Sequence, residues 1–366
     1  MNTLGPMSTR RTFLRRGGDL ALLLAAAGVL SACGKSDGSP AGTTVGGTIT
    51  MMNYPDWMGK DEVAKFRAAF PGTDVKQVSG LTSGAAQALT QIRQNLKSYD
   101  LTLAGGATAG QIQAAGLTAK FDPSRVPLLS GIPEFYRKAF PHGVPVDIGK
   151  VGFGYRRDLI DERPRSWADL WQLAATHPRK VTVLKYADDV VSMALLLTGH
   201  PAGADDEKSL AKAVDALQDL KRNIRAFLPT DFSKDLITGD AVAAVSYDYD
   251  IATAQVKNAD IVWVAPTEGM PGYVDGWLPL AGGENLATVY AFMNHHLTPE
   301  VYADFINTTG SAYLLPSAEP FIDDSIKNNA SLRLDTGNAS AVQFADYNGP
   351  EGARRRADAF ERVIGV

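Results

Sequence analysis

From residue 48 onward, short runs of alternating or continuous apolar residues take turns with segments whose apolar residues recur every three or four positions. Thr48-Ile49-Thr50-Met51-Met52 is a β-prone run, and residues 61–70 then place Val63, Phe66 and Phe70 at helical spacing. Asp74 to Val78 alternates like a strand. A helix follows with Leu89, Ile92 and Leu96 on one face, and Tyr99 to Ala104 is the next strand, ending in Gly105-Gly106. A βαβαβ succession builds a parallel sheet with helices on its faces. A second series begins after a Pro/Gly-rich stretch at 141–149. It predicts strands at 151–155, 181–184, 241–246 and 261–264, with helices at about 188–198 and 206–224. Ser166 is placed to cap a helix carrying Trp167, Leu170 and Trp171. The C-terminal part is mostly helical, near 298–308 and 351–363. The pattern predicts an α/β fold of two lobes.

Length agrees, since 366 residues suit about two domains. Hydrophobic residues make up 45% and charged ones 21%, enough to bury a core and unlike a disordered chain. Lysine and arginine number 36 against 40 acidic residues, a formal net of −4, which argues against nucleic acid as the main partner. The single cysteine excludes an intrachain disulfide and a cysteine-rich metal cluster.

That cysteine sits at the end of an N-terminal address. Thr9-Arg10-Arg11-Thr12-Phe13-Leu14-Arg15 is basic and is followed by the apolar run Leu20 to Leu30, too short to span a bilayer but fitting a signal peptide. The segment resembles a twin-arginine signal, and Leu30-Ser31-Ala32-Cys33 resembles a bacterial lipobox. A plain secretory signal with a chance cysteine is the alternative. The resemblance implies cleavage after residue 32, lipidation of Cys33, and a tether to the outer face of a membrane. Residues 1–32 carry four arginines and one aspartate, so the 334-residue remainder has a net charge of −7. Residues 33–46 comprise that cysteine and a flexible Gly/Ser/Thr-rich linker.

In open α/β sheets, ligands bind beyond the carboxyl ends of strands. There the chain places Asn53-Tyr54-Pro55-Asp56-Trp57, Gly105-Gly106-Ala107-Thr108, Lys185-Tyr186-Ala187-Asp188-Asp189 and Tyr247-Asp248-Tyr249-Asp250. A later loop reads Gly272-Tyr273-Val274-Asp275-Gly276-Trp277. Aromatic rings contact methylene groups and attract ammonium through their faces, while carboxylates accept its N–H bonds, so the recurrence suits an organic cation. Each aromatic taken singly reads more readily as core or ordinary surface.

The chain also resembles the periplasmic solute-binding proteins of polyamine uptake systems, loosely, over most of residues 48–360. The matching segments are Asn53 to Trp57, Ser98-Tyr99-Asp100-Leu101, Ser166-Trp167-Ala168-Asp169-Leu170-Trp171, and Asp189 shortly before Met193-Ala194-Leu195. Pro266-Thr267-Glu268-Gly269 with Tyr273-Val274-Asp275 completes the set. The resemblance implies ligand-stacking aromatics at Tyr54, Trp57, Tyr247, Tyr273 and Tyr313, and amine-binding carboxylates at Asp189 and Asp275. Where polyamine binders place a serine and a tyrosine, this chain has Gly105 and Ala107. A further acidic position falls on Tyr186, for which Asp188 or Asp248 could substitute. We therefore add Asp248 to the candidate site.

Other constellations carry less. His295-His296 falls at an expected helix start with no acid at metal-ligand spacing. His142, His177 and His200 read as surface residues. Asp205-Asp206-Glu207 and Asp323-Asp324 read as helix starts, and Arg354-Arg355-Arg356 as a solvated helix face. No G-x-S-x-G, H-E-x-x-H or P-loop occurs, and Ser83, Ser192 and Ser246 have no histidine base nearby in sequence. The expectation is a non-enzymatic, extracytoplasmic lipoprotein of an ABC importer that binds a polyamine or related organic amine, without cofactor or metal. It would act as a monomer and pass its solute to a permease with its ATPase. The implied fold is a two-lobe periplasmic-binding-protein-like one with a central cleft and hinge crossovers: lobe 1 at 47–150 and 275–322, lobe 2 at 151–274 and 323–366. An amino acid derivative or an opine as solute, a ligand-sensing lipoprotein, and an exported enzyme on the same scaffold are the alternatives.

Overall fold

Ten strands form one continuous sheet in the computed structural model, which describes residues 44–365 apart from 56, 80–84, 333–340 and 346. The expected signal, Cys33, most of the linker, Asp56 and Ser83 lie outside the described residues. The strands are β1 (Gly47–Asn53), β2 (Thr73–Ser79), β3 (Leu101–Gly105), β4 (Val144–Arg156), β5 (Val181–Leu184), β6 (Ala226–Leu228), β7 (Ala243–Tyr247), β8 (Ile261–Val264), β9 (Met270–Pro279) and β10 (Val342–Phe344). Their order is β2-β1-β3-β9-β4-β7-β5-β6, with β10 beside β9 and β8 beside β4. Pairing is parallel at each end and antiparallel where β9 and β4 join the halves.

Two large cores flank that junction. The first gathers Ile49, Met51, Leu103, Val146, Ile148, Val274 and Trp277 beneath the helices Glu62–Ala69, Leu286–His296 and Pro299–Thr309, and it extends to Ile326 and Leu332. The second gathers Val151, Phe153, Val183, Val245, Leu195 and Leu217 with Phe360 of the C-terminal helix Gly349–Ile364. Strand β4 thus leaves one core at Ile148 and enters the other at Val151. This is the α/β periplasmic-binding-protein fold.

Local signals explain most elements. Ser166 and Asp169 form a reciprocal capping box on the helix Trp167–Thr176. Asp206 accepts from Ser209 N at 3.0 Å and starts the helix Glu207–Asn223, which buries Leu210, Ala213, Val214, Leu217 and Leu220 at helical spacing.

The Pro/Gly-rich stretch at 141–149 is strand from Val144 onward, and the expected loop at 272–277 is strand throughout. Their glycines admit close neighbours: a Cβ on Gly149 would lie 2.0 Å from the Tyr273 hydroxyl, and one on Gly276 would lie 2.3 Å from the Phe140 ring. Pro145, which has no N–H to donate, sits at a bulge between β4 and β9. His295 and His296 end a helix rather than start one. His296 is fully buried, its Nδ1 2.7 Å from Glu62 Oε1. Arg356 is not solvated either; it is buried and donates to Ala202 O, Ala204 O and Ser192 Oγ and pairs with Asp188.

Candidate functional site

Where the two halves of the sheet meet, segments that follow β1, β5, β6 and β7 and the interiors of β4 and β9 bring aromatic rings and carboxylates together. The turn after β1 is shaped by Asn53, whose Oδ1 accepts Tyr54 N and whose Nδ2 donates to Trp57 O. Gly59 N donates to the buried Glu62 carboxylate at 3.0 Å. Trp57 is thereby held with its indole Nε1 3.2 Å from Asp147 Oδ2 on β4 and its ring edge-on to Tyr249, 5.6 Å between centroids. Tyr249 stacks on Tyr247 at 5.7 Å and 8°, and Tyr247 meets Tyr273 edge-to-face at 5.5 Å. Tyr186 and Phe232 complete the wall at 6.2 and 5.8 Å from the Tyr247 ring. Such rings offer apolar area and electron-rich faces together.

Strands β9 and β4 and the start of the helix Ala187–Leu197 add the carboxylates. Asp275 on β9 is opposite Gly105 of β3 on one side and Asp147 of β4 on the other. Burial, then repulsion from Asp189, pushes the Asp275 carboxyl up to about 7. Asp189 is pushed up to about 6 by burial, against the stabilising hydroxyl of Tyr247, which donates to its Oδ2 at 2.7 Å. Asp147 is raised by burial and next by Asp275. Among the described residues no lysine or arginine forms an ion pair with Asp147, Asp189 or Asp275. The surrounding phenols of Tyr247, Tyr249 and Tyr273 are raised, burial first and nearby acids next, and that of Tyr54, a residue 37% exposed, is raised as well, so all four remain neutral donors.

Of the eight ligand residues inferred from sequence, ring contacts or mutual electrostatics bring Tyr54, Trp57, Asp189, Tyr247, Tyr273 and Asp275 together. Asp248 is also there but faces the chain's own cation: its Oδ2 lies 3.2 Å from Lys150 Nζ, and Oδ1 accepts Tyr249 N at 2.9 Å. Tyr313 is partly buried against the first core. Asp188 pairs with Arg356. Sequence reasoning missed Asp147, Tyr249 and Phe232, and gave Tyr186 no role. The available signal for Asp147 was a lone acid inside the apolar run Val144 to Ile148. Tyr249 was visible in the Tyr-Asp-Tyr-Asp repeat at 247–250.

Among the described residues no cluster of histidine, cysteine, aspartate and glutamate could hold a metal ion, and no helix is long and apolar enough to cross a membrane.

Comparison with known proteins agrees with a binding cleft. The chain is 24% identical over 268 residues to the spermidine/putrescine-binding periplasmic protein of Salmonella typhimurium, covering 68% of this chain and 76% of that one. Its fold matches the spermidine/putrescine ABC transporter substrate-binding protein PotD of Streptococcus pneumoniae with a TM-score of 0.75 at 20% identity, covering 86% and 98% of the two chains. It also matches MotA of A. tumefaciens, solved in complex with glucopine, with a TM-score of 0.70 at 16% identity, covering 87% and 99%. These structural likenesses establish the fold. The family model for bacterial extracellular solute-binding proteins matches residues 62–333. The chain therefore belongs to the bacterial extracellular solute-binding proteins, which capture a solute rather than transform one.

Proposed function

We propose that this protein captures an organic amine, a polyamine such as spermidine or putrescine or a related cation, outside the cytoplasm and delivers it to an ABC permease driven by its ATPase. One observation carries the reading. Asp189 and Asp275 are raised carboxylates within an aromatic enclosure, and the chain supplies neither with an ion-pair partner among the described residues. Buried carboxylates lacking a counter-charge are costly, and an ammonium ligand removes that cost. Tyr54, Trp57, Tyr247 and Tyr273 would line the methylene chain. Tyr313 would join them at the rim, and Asp248, answered by Lys150, would serve the fold rather than the solute.

The two cores would serve as the lobes that close on the solute, about 47–150 with 275–322 and 151–274 with 323–366, with Ala252, Val274, Ile326 and Leu332 packing with the first. Closure would run through β4 and β9 as a hinge. The mature protein is proposed to act as a monomer, exported by the twin-arginine signal and tethered through lipidated Cys33. Loss of labelled-lipid incorporation on Cys33→Ser tests the anchor.

A structural neighbour, MotA of A. tumefaciens, was solved with glucopine, and Gly105 and Ala107 replace residues that the polyamine resemblance implies. A second reading, a different small metabolite such as an amino acid derivative or an opine, rests on that departure. A thermal-shift screen of putrescine, spermidine, amino acids and opines separates the two. A ligand at about 100 times its Kd stabilises the fold by about 2.7 kcal/mol. Shifts confined to polyamines support the first reading. Shifts confined to opines or amino acids replace it.

A further inference from the structure

The cleft holds a third carboxylate that the resemblance to polyamine binders does not supply. Asp147 is 1% exposed. Its Oδ2 accepts the Trp57 indole N–H, the neighbouring Ser311 hydroxyl favours its ionised form, and its Oδ1 has no hydrogen-bond partner among the described residues. A buried carboxylate oxygen without a donor is rare in folded proteins and asks for a partner from outside the chain. The strand register puts Asp147 directly opposite Asp275, with the β4 bulge at Pro145–Asp147 setting its direction. Like charges facing each other across a strand pair are destabilising on their own.

The acids around this pair are otherwise engaged. Asp188, beside the position where the resemblance implies an acid and the chain has Tyr186, is paired with Arg356. Asp248 is paired with Lys150, whose Nζ also donates to Ser331 O at 2.7 Å. Neither is free to substitute for the missing acid, which leaves Asp147 beside Asp275. On the far side of Asp275 lies Gly105, where a Cβ would come within 3.0 Å of Asp275 Oδ1, so the glycine leaves that oxygen uncovered.

We propose that Asp147 and Asp275 together seat one primary ammonium group of the ligand while Asp189 holds a second, making the solute an α,ω-diamine or longer polyamine whose charged ends bind opposite walls. This rests on the amine reading above and assigns the ends within it. An –NH₃⁺ has three donors and can bridge two carboxylates, whereas a quaternary ammonium has none. A single positive charge between Asp147 and Asp275 also relieves their mutual repulsion.

Calorimetric titration of the purified chain with putrescine and cadaverine tests it. Asp147→Asn should weaken binding at least tenfold. In an Asp275→Asn background the same substitution should add less than threefold, because both carboxylates serve one ammonium group. A purely structural role would give independent, multiplicative losses in the double variant, and that result overturns the proposal. So does wild-type affinity in Asp147→Asn. Should Asp147→Asn fail to fold, Asp147→Glu advances the carboxylate by about one methylene. It should raise the preference for putrescine over cadaverine at least threefold, and an unchanged preference overturns the assignment. If the unsubstituted protein binds no amine, the amine reading itself fails and takes this proposal with it. If it does bind and the Asp147 variants match it, only the assignment of Asp147 falls.

Discussion

Asp248 and Asp275 are both interior aspartates of the same cleft, and the chain treats them in opposite ways. Asp248 has a counter-charge built in: Lys150, three residues beyond Asp147 on β4, lies 3.2 Å away and is itself almost fully buried. The pair joins the strand that crosses between the cores to the helix that begins at Asp248. Asp275 has no such partner and instead feels Asp189 and Asp147. Residue type and burial alone therefore do not distinguish a carboxylate proposed to bind the solute from a structural one. What distinguishes them is whether a cation of the chain has already answered the charge. Asp188 with Arg356 repeats the first arrangement, and Asp189, one residue on, repeats the second.

Substituting the paired acid should produce the largest effect, and on stability alone. Asp248→Asn leaves a buried ammonium without its counter-charge, which costs about 3 kcal/mol. Chemical denaturation should show that loss, with amine affinity held near wild type. A large fall in affinity at unchanged stability would erase the distinction. The next effect is in pH. With folded carboxyl groups raised to about 6 and about 7, the free protein binds more protons than the unfolded chain, whose aspartates titrate near 3.8. The stability these groups contribute is complete below that unfolded value and lost as pH rises through 6 to 7. Ligand affinity runs the other way, since the ammonium groups need ionised partners. The Kd for a diamine should rise roughly a hundredfold from pH 7.5 to 5.5. A flat profile would mean that these acids do not meet the ligand. Third, Asp275→Asn should cost about 1.5 kcal/mol of binding, a little over tenfold, while leaving the free protein as stable or more so. Paired titration and melting of this variant and Asp248→Asn give the sharpest form of the contrast, because the two should move opposite observables.

Much of this architecture is legible in the sequence because its signals are local. The Ser166–Asp169 capping box, the alternation at 74–78 and the buried stripe of residues 207–223 each announce themselves within a few residues. β4 and β9 do not. Their glycines and Pro145 look like turn signals, and only the close approach of Tyr273 to Gly149 or Phe140 to Gly276 reveals their purpose. The same blindness hid Asp147, which falls inside the stretch read as punctuation. Aromatic and acidic residues at strand ends did point to Tyr54, Trp57, Asp189, Tyr247, Tyr273 and Asp275 as neighbours. Sequence could not say that Asp248 is answered by Lys150 or Asp188 by Arg356. Those pairings join residues far apart along the chain and exist only once the fold has formed.

The smallest predicted effect probes the boundary between the two kinds of acid. Asp189 is not wholly without help, since the Tyr247 hydroxyl donates to its Oδ2 at 2.7 Å. A neutral donor favours the ionised carboxylate without cancelling its charge, so the group is steadied yet still demands a cation. Tyr247→Phe removes that bond and keeps the ring that stacks on Tyr249. Asp189 should then hold its proton to higher pH, moving the midpoint of the affinity profile upward. Affinity near pH 6.5 should fall about threefold, or roughly 0.7 kcal/mol, within the range of one hydrogen bond. At pH 8, where Asp189 is ionised with or without the phenol, the deficit should shrink. A loss of equal size at both pH values would mean that the hydroxyl contacts the solute directly. Tyr247 would then be a ligand residue through its oxygen as well as its ring.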